Sequence, residues 1–369
     1  MTFQSFSFHP QITAGIFAAG YTTPTPIQMR TIPPILAGRD VLGLAQTGTG
    51  KTAAFVLPIL QKLLHGQRGR LRVLILCPTR ELAEQNHTAI INLGRKTGVR
   101  SQTVYGGVNA QSQINGLKAG AEIAVACPGR LLDLMGQRAV DLKNIEILVL
   151  DEADQMFDMG FLPSIRRILA SLPKSRQTLL FSATMPGEIR TLANDFLRNP
   201  IAIELGITRP IETVSHAVYP VKQTQKLDSL LTILRDSGSG KILIFTRTKY
   251  RARSLSGQLI KAGLPATSLQ GNLSQNKRQA AMDSFRSGKA KIMVATDIAA
   301  RGIDVSQISH VINYDMPDTA EAYIHRIGRT GRMTHLGTAL SLVTEDDQRM
   351  VGVIERLLGQ SLERMRPSL

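Results

Sequence analysis

Two stretches of this chain combine residue types that could hold a phosphorylated ligand and act on it. The first is Ala45-Gln46-Thr47-Gly48-Thr49-Gly50-Lys51-Thr52. It follows an apolar run, Asp40–Ala45, and opens a helical pattern, Thr52–Leu64. Glycines at such a junction let the backbone curl so that successive N–H groups face one anion. The first turn of the helix adds a favourable field. Lys51 can then reach the β and γ phosphates of a nucleotide, and the Thr52 hydroxyl can ligate Mg2+. Ala45 stands where the general pattern has glycine. Composition alone would also fit a glycine-rich turn capping a helix; the strand before it and the helix after it favour the phosphate loop.

The second stretch is Asp151-Glu152-Ala153-Asp154, reached from the apolar run Ile147–Leu150. A carboxylate at the C-terminal end of a parallel strand lies at the sheet edge where ligands bind. Asp151 is placed to hold Mg2+ through water, and Glu152 to polarise an attacking water as general base. Acidic residues also favour the first turn of any helix, so the tetrad by itself fits either reading. The upstream loop decides for the first.

The elements that must position these residues alternate in type. Strand candidates are Asp40–Ala45, Arg72–Cys77, Gln102–Tyr105, Ile123–Ala126, Ile147–Leu150, Gln177–Phe181 and Ile201–Glu204. Helical patterns such as Thr52–Leu64, Glu81–Gly94 and Phe161–Ala170 lie between them. Near-continuous apolar strands separated by helices mean a parallel sheet buried on both faces. Leu205–Pro220 breaks the rhythm with Gly206, Pro210 and Pro220 and is expected to be a linker. The alternation then restarts. Strands are expected at Lys241–Phe245, Ala266–Leu269, Lys291–Ala295, His310–Tyr314 and Thr338–Leu342. Helices are expected at Leu227–Leu234, Tyr250–Lys261, Gln275–Arg286, Thr319–Ile327 and Asp346–Leu358. Two α/β domains in tandem follow, over 1–205 and 221–369 with 206–220 between them. No sequence-level repeat, low-complexity segment or heptad run is visible.

Composition sets the outer bounds. At 369 residues the chain holds two or three domains of roughly 150 residues. It is 43% hydrophobic and 20% charged, which excludes a disordered or collagen-like chain. No apolar run approaches the length of a membrane-spanning helix, and Met1–Pro10 lacks the basic and apolar regions of a signal peptide. The two cysteines, Cys77 and Cys127, make neither a disulfide framework nor a metal cluster and fit a reducing cytoplasm. The net charge is +16. Residues 1–205 hold 21 basic and 14 acidic residues, and 206–369 hold 23 and 14. An excess spread over both halves points to a polyanionic partner.

With its Asp-Glu-Ala-Asp tetrad and the motifs around it, the chain resembles the DEAD-box ATP-dependent RNA helicases of superfamily 2. The resemblance runs from Phe3 to Arg332. Gly20 to Gln28 resembles the adenine-reading segment, so Tyr21 and Gln28 are expected at the base, with Phe3 as the supporting aromatic. An amide can accept from the adenine N6 amine and donate to N7, a pattern guanine does not offer. Pro78-Thr79-Arg80, Gly106-Gly107 and Cys127-Pro128-Gly129-Arg130 resemble three RNA-contact motifs. The family usually has Thr at the position of Cys127, which puts one hydroxyl contact in doubt. Ser182-Ala183-Thr184, with Asp154, resembles the motif that couples the tetrad to domain closure; a helix cap is the alternative for its hydroxyls.

In the second half the resemblance implies RNA contacts from Arg247, from Gly271, Gln275 and Arg278, and from Thr296. It places Gly302 and Asp304 at the ATP ribose. The run His325-Arg326-Ile327-Gly328-Arg329-Thr330-Gly331-Arg332 resembles the motif whose arginines reach the γ-phosphate, making His325, Arg329 and Arg332 part of the catalytic set. A planar, permanently charged guanidinium suits that task; a basic loop binding nucleic-acid phosphates is the other reading. The resemblance therefore implies two tandem RecA-like domains with the ATP and RNA sites across an interdomain cleft. Its cofactors would be ATP and Mg2+, and its partner RNA, single-stranded or in short duplexes. The absence of a coiled-coil signature favours a monomer. The compact core and the short stretch after the last helix make the chain most similar to the bacterial RhlE-type group. A DNA helicase of the same superfamily, or an ATP-gated RNA clamp with little unwinding, would use the same motifs.

Overall fold

Runs of four apolar residues with no polar interruption must bury both faces of a strand, and Val73–Leu76, Ile123–Ala126 and Ile147–Leu150 do so. The computed structural model describes residues 2–46, 48–205, 214–238, 240–300, 308–331 and 336–365; of Asp236, Gln275 and Ile298 it describes the backbone alone. The chain divides into two compact units, Met1–Ile207 and Thr208–Leu369.

In the first unit the strands are β1 (Val41–Leu44), β2 (Val73–Leu76), β3 (Ser101–Val104), β4 (Ile123–Ala126), β5 (Ile147–Leu150), β6 (Gln177–Ser182) and β7 (Ile201–Glu204). They form one 7-stranded sheet in the order β3-β4-β2-β5-β6-β1-β7, with every pairing parallel. Side chains alternate across it. Val73 and Ile75 of β2 and Ile147 and Val149 of β5 join one core, while Leu74, Leu76, Leu148 and Leu150 join the other. Helices cover both faces, which is why these strands read as unbroken apolar runs. The edge strands β3 and β7 are partly exposed.

The second unit repeats this plan. Its strands are β8 (Val214–Pro220), β9 (Lys241–Phe245), β10 (Ala266–Leu269), β11 (Ile292–Ala295), β12 (Ile308–Asn313), β13 (Gly337–Val343) and β14 (Glu363–Arg364). They form a second 7-stranded parallel sheet in the order β10-β11-β9-β12-β13-β8-β14. Counted from its own first strand, this is the order of the first sheet. The fold repeats although no repeat is visible in the sequence.

Two strands depart from the sequence reading. Val214–Pro220 was expected within the linker, yet it is β8, paired along its whole length with β13. Its period was obscured by His216, which is buried and meets the Tyr323 hydroxyl through Nδ1 at 3.0 Å. β14 is two exposed residues paired with Ala217 and Val218, too short for a local pattern to announce it. Among the described residues, no helix is long and apolar enough to cross a membrane.

Burial lowers the pKa of His216 to about 4. The folded state therefore prefers neutral imidazole. The stability this gives is present above the unfolded pKa near 6.5 and is lost as pH falls towards 4. Denaturant titrations followed by circular dichroism are expected to show a loss growing over that window to roughly 3 kcal/mol. His216→Leu is expected to flatten that slope; an unchanged acid slope in the variant would assign it elsewhere.

Candidate functional site

In a parallel sheet every crossover returns the chain to the same edge, so the loops after successive strands meet there. The loop after β1 is anchored at its start, where the Ala45 N–H donates to the Ser182 carbonyl at 3.0 Å. Gly48 and Gly50 take φ of +83° and +92°. Lys51 opens the helix Lys51–Leu63 and is buried, its Nζ folded back onto the Ala45 carbonyl at 2.6 Å. The Thr49 hydroxyl closes a further turn on the Gln46 carbonyl at 2.7 Å. This brings Ala45, Gln46, Gly48, Thr49, Gly50, Lys51 and Thr52 into one loop and helix start. Thr47 lies outside the described residues.

Gln28 is buried beside this loop. Its Oε1 accepts from the Thr25 N–H at 2.9 Å, closing a capping box at the start of the helix Pro26–Leu36. Its Nε2 donates to the Gly50 carbonyl at 3.1 Å. A Cβ on Gly50 would lie 2.5 Å from that nitrogen and 3.0 Å from Thr25 Oγ1 and would push the Gln28 amide off the loop, while the φ of +92° itself favours glycine. The Gln28 oxygen keeps a second lone pair and the nitrogen a second proton, which leaves the amide able to meet a base edge. Phe3 and Tyr21 stack at 6.2 Å with 25° between their rings, while Phe6 lies against Phe8 at 5.7 Å. The aromatic that meets Tyr21 is thus Phe3.

Asp151 follows β5, and its N–H donates to the Leu76 carbonyl at 2.9 Å. Burial raises its carboxyl above the usual range, opposed by the Lys51 charge and by an N–H from Asn86. That contact, Asn86 Nδ2 to Asp151 Oδ2, is 2.9 Å, and the Thr52 hydroxyl donates to Asn86 Oδ1 at 3.2 Å. The proposed metal-side pair, Thr52 and Asp151, is therefore bridged by one amide. A carboxylate and a hydroxyl so held, beside a buried ammonium, form a hard oxygen donor set that suits Mg2+. Glu152 is buried at φ +54°, ψ +53° and caps the helix Ala153–Asp158. A non-glycine residue in that region stores about 1–2 kcal/mol of strain.

Asp154 is the hub of the neighbouring turn. Its Oδ2 accepts from the Ala183 N–H at 3.1 Å, the Thr184 N–H at 2.8 Å and the Thr184 hydroxyl at 3.0 Å. The Ser182 hydroxyl accepts from the Asp154 N–H at 3.2 Å. Both hydroxyls are thus engaged with Asp154, while the following helix, Gly187–Phe196, is capped by Pro186.

The expected RNA-side residues of this unit also gather. Thr79 caps the helix Arg80–Leu93, its hydroxyl accepting from the Leu82 N–H at 3.3 Å. Arg80 lies so close over Gly107 that a Cβ there would overlap the guanidinium. Arg130 donates to the Val108 carbonyl at 3.3 Å, and its helix, Pro128–Gly136, begins with Pro128 and Gly129. Cys127 precedes that helix and makes no side-chain capping hydrogen bond to it, so the thiol does not replace the expected hydroxyl as a cap. Cys77 is buried beside Cys127, and burial raises its thiol well above the usual range.

In the second unit Asp315 plays the organising part. Its carboxylate accepts from the Arg247 N–H at 3.0 Å and Arg251 Nη1 at 2.8 Å, with Lys226 Nζ at 3.6 Å. Arg278 Nη1 donates to the Gln270 carbonyl at 3.3 Å, next to Gly271. Thr296 follows β11 and starts the short helix Asp297–Ala300. His325 lies in the last turn of the helix Ala320–Ile327. Arg329 is buried just beyond it. Arg326, in the same helix, is fixed by the Asp297 carboxylate at 2.6 and 2.7 Å, by Asn313 Oδ1 at 2.9 Å and by the Asp315 carbonyl at 2.7 Å. Gly302, Asp304, Arg332 and the Gln275 side chain lie outside the described residues.

Comparison with known proteins agrees with this geometry. Residues 25–192 match the DEAD/DEAH box helicase family, and residues 225–334 match the helicase conserved C-terminal domain. The chain is 41% identical over 369 residues to the DEAD-box ATP-dependent RNA helicase CshA of Streptococcus pneumoniae, covering 100% of itself and 70% of that protein. The chain belongs to the DEAD-box helicase family. Another DEAD-box relative, the ATP-dependent RNA helicase dbp2 of Sclerotinia sclerotiorum, is 42% identical, with 100% of this chain and 66% of that protein covered. Among solved DEAD-box structures, S. cerevisiae Dbp5 bound to RNA and ADP BeF3 has a TM-score of 0.89 at 32% identity, covering 100% of this chain and 96% of that one. Mss116 bound to ssRNA and UDP-BeF scores 0.89 at 27% identity, covering 99% and 79%. The fold is that of tandem RecA-like domains.

Sequence reasoning missed three polar residues that hold this DEAD-box protein's loops: Asn86, Asp315 and Arg326. Asn86 did leave a signal. It interrupts the buried face Leu82, Ala83, Ile90 and Leu93 of an otherwise amphipathic helix. Asp315 left none, because its donors come from distant segments.

Asp154→Ala is expected to orphan three donors on Ala183 and Thr184 and to lower stability by about 2–4 kcal/mol, with Asp154→Asn losing less because one oxygen remains. Chemical denaturation of both variants checks this; equal losses would mean that the negative charge, which both variants lack, matters more than the oxygen that Asn keeps.

Proposed function

We propose that this DEAD-box protein hydrolyses ATP in response to RNA and uses closure of its two units to clamp RNA and separate short duplexes. The observation that carries the reading is the single assembly in the first unit of the phosphate loop, Gln28, Asp151 and Glu152. Relatives named ATP-dependent RNA helicases support it, as do similar proteins solved with RNA and nucleotide. In this reading 1–205 is the ATP-binding domain, a linker follows it, and the second helicase domain begins with β8 at Val214 rather than at 221. Gln28 selects adenine with support from Phe3 and Tyr21, and Gly302 and Asp304 meet the ribose. Thr52 and Asp151 hold Mg2+, partly through water, which supplies charge neutralisation on the phosphates when bound. Lys51 binds the phosphate chain and Glu152 takes the proton of the attacking water.

Charge developing in the transition state calls for a further cation beside Lys51, which already serves the ground-state loop. Arg329 and Arg332, with His325, supply that set from the second unit on closure. RNA binds through Pro78, Thr79, Arg80, Gly107, Pro128, Gly129 and Arg130 of one unit and Arg247, Gly271, Gln275, Arg278 and Thr296 of the other. Two ligands that favour one closed state raise each other's affinity. Asp154, Ser182 and Thr184 link the tetrad to that state. Contacts mainly to the backbone imply little sequence preference. The protein acts as a cytoplasmic monomer. The finer assignment, to the bacterial RhlE-type group, rests on resemblance alone, since the relatives above carry other names.

ATP turnover measured with no nucleic acid, with single-stranded RNA and with single-stranded DNA tests the reading, beside displacement of a short RNA duplex. RNA alone is expected to stimulate, and displacement to require ATP. Equal stimulation by DNA would overturn RNA selectivity, and turnover without displacement would leave a clamp. Glu152→Gln is expected to bind ATP and RNA together yet hydrolyse about 10²–10⁴-fold more slowly.

Arg332→Ala separates a transition-state contact from an RNA-phosphate contact. The first predicts a kcat at saturating RNA lower by about 10³-fold or more, with ATP affinity in the absence of RNA little changed. The second predicts weakened nucleotide-free RNA binding and a kcat that recovers at saturating RNA. Full recovery would remove the arginine from the catalytic set.

A further inference from the structure

Asn86 occupies a position that the physics of its helix assigns to an apolar side chain. The helix Arg80–Leu93 packs its face of Leu82, Ala83, Ile90 and Leu93 into the first unit's core, and Asn86 lies on that face with no exposure at all. A buried primary amide is costly unless its donor and acceptor are both met. Here they are met by two groups: the Asp151 carboxylate, 2.9 Å from Nδ2, and the Thr52 hydroxyl, 3.2 Å from Oδ1. The structure gives the amide one orientation: Nδ2 faces the Asp151 carboxyl and Oδ1 faces the Thr52 hydroxyl.

We propose that Asn86 is a positioning residue for magnesium: it orients both protein groups on the metal side of the nucleotide site. The proposal rests on the reading of Thr52 and Asp151 as that pair. A hydroxyl that gives its lone pair to a cation must point its proton away, to an acceptor, and Asn86 Oδ1 is that acceptor. A carboxylate that binds through one oxygen is held by a donor on the other, and Asn86 Nδ2 is that donor. One amide thereby sets both groups in register before any ligand arrives. It touches no substrate, so its effect must be transmitted through its two partners. Outer partners of this kind change metal affinity by roughly 10–100-fold when removed.

The test compares the parent chain with Asn86→Leu, which keeps the branched shape and loses both hydrogen bonds, and Asn86→Thr, whose hydroxyl can serve only part of the bridge. Binding of a fluorescent ATP analogue is titrated with Mg2+ and, separately, in EDTA, with thermal unfolding followed in parallel. In Asn86→Leu the free Mg2+ needed for half-maximal nucleotide binding is expected to rise about 10–100-fold, and in Asn86→Thr by less. Affinity in EDTA is expected to stay at the parent value, which a loss of packing alone would not preserve. If Asn86→Leu does not fold, Asn86→Thr decides by itself. A shift below about threefold in the folded variants overturns the proposal, as does an equal loss of affinity in EDTA. If the parent's own nucleotide binding ignores Mg2+, the reading of Thr52 and Asp151 fails first and takes this inference with it. Mg2+-dependent binding in the parent with unmoved variants removes Asn86 alone.

Discussion

Parallel pairing of strands buried on both faces is the constraint from which the rest of this molecule follows. It obliges each strand to be followed by a crossover, and each crossover to pass the same edge of the sheet. The loops after β1, β2, β4, β5 and β6 are distant in sequence, and the chemistry-bearing residues lie in them because that edge is where they can meet. Within strands buried on both faces a polar side chain needs a partner, as His216 and Asn313 have in Tyr323 and Arg326. The charged motif residues sit at the strand ends, where the sheet opens to a ligand.

The two units answer this constraint with one strand order and different loops. After β1 the chain makes a glycine-rich curl and starts a helix at Lys51. After β8, the equivalent strand, it continues through Pro220, Val221 and Lys222 into a short turn with no glycine. Among the described residues, the glycine-rich loop that follows β1 therefore has no counterpart after β8. The second unit places Arg247, Thr296 and Asp315 after its strands instead. Duplication of a scaffold with divergence of its edge gives one chain two kinds of loop without two kinds of core.

Buried carboxylates do most of the holding at these edges. Asp154 gathers Ala183 and Thr184, Asp315 gathers Arg247, Arg251 and Lys226, and Asp151 is gathered by Asn86. Each such group loses hydration on burial and is stable only with its full set of partners. That requirement makes the loops specific. A loop that drifts by one residue leaves an orphaned charge, so the alternatives to the observed arrangement are expensive. Glu152, with its left-handed backbone, is held in place by the Asp151 and Asp154 anchors on either side of it.

Local pattern in the sequence determined the alternation of strands and helices, because apolar runs and helical faces are written in neighbouring residues. Most of the expected strands appear within a residue or two of their observed bounds, including Ile123–Ala126, Ile147–Leu150 and Lys241–Phe245. The glycines and Lys51 of the phosphate loop and the Asp-Glu-Ala-Asp tetrad were legible for the same reason: their chemistry is carried by contiguous residues. Tertiary structure alone decided what contiguous residues cannot encode. β14 pairs with the edge that β8 offers it, and β8 was hidden because His216 is buried with Nδ1 on the hydroxyl of Tyr323, a hundred residues away. The strand order, and with it the equivalence of the two units, follows from which strands pair. The bridge from Thr52 through Asn86 to Asp151 joins three separate segments. Its members became a unit only when the sheet brought them within hydrogen-bond reach, because such bonds act over about 3 Å and carry no trace along the chain.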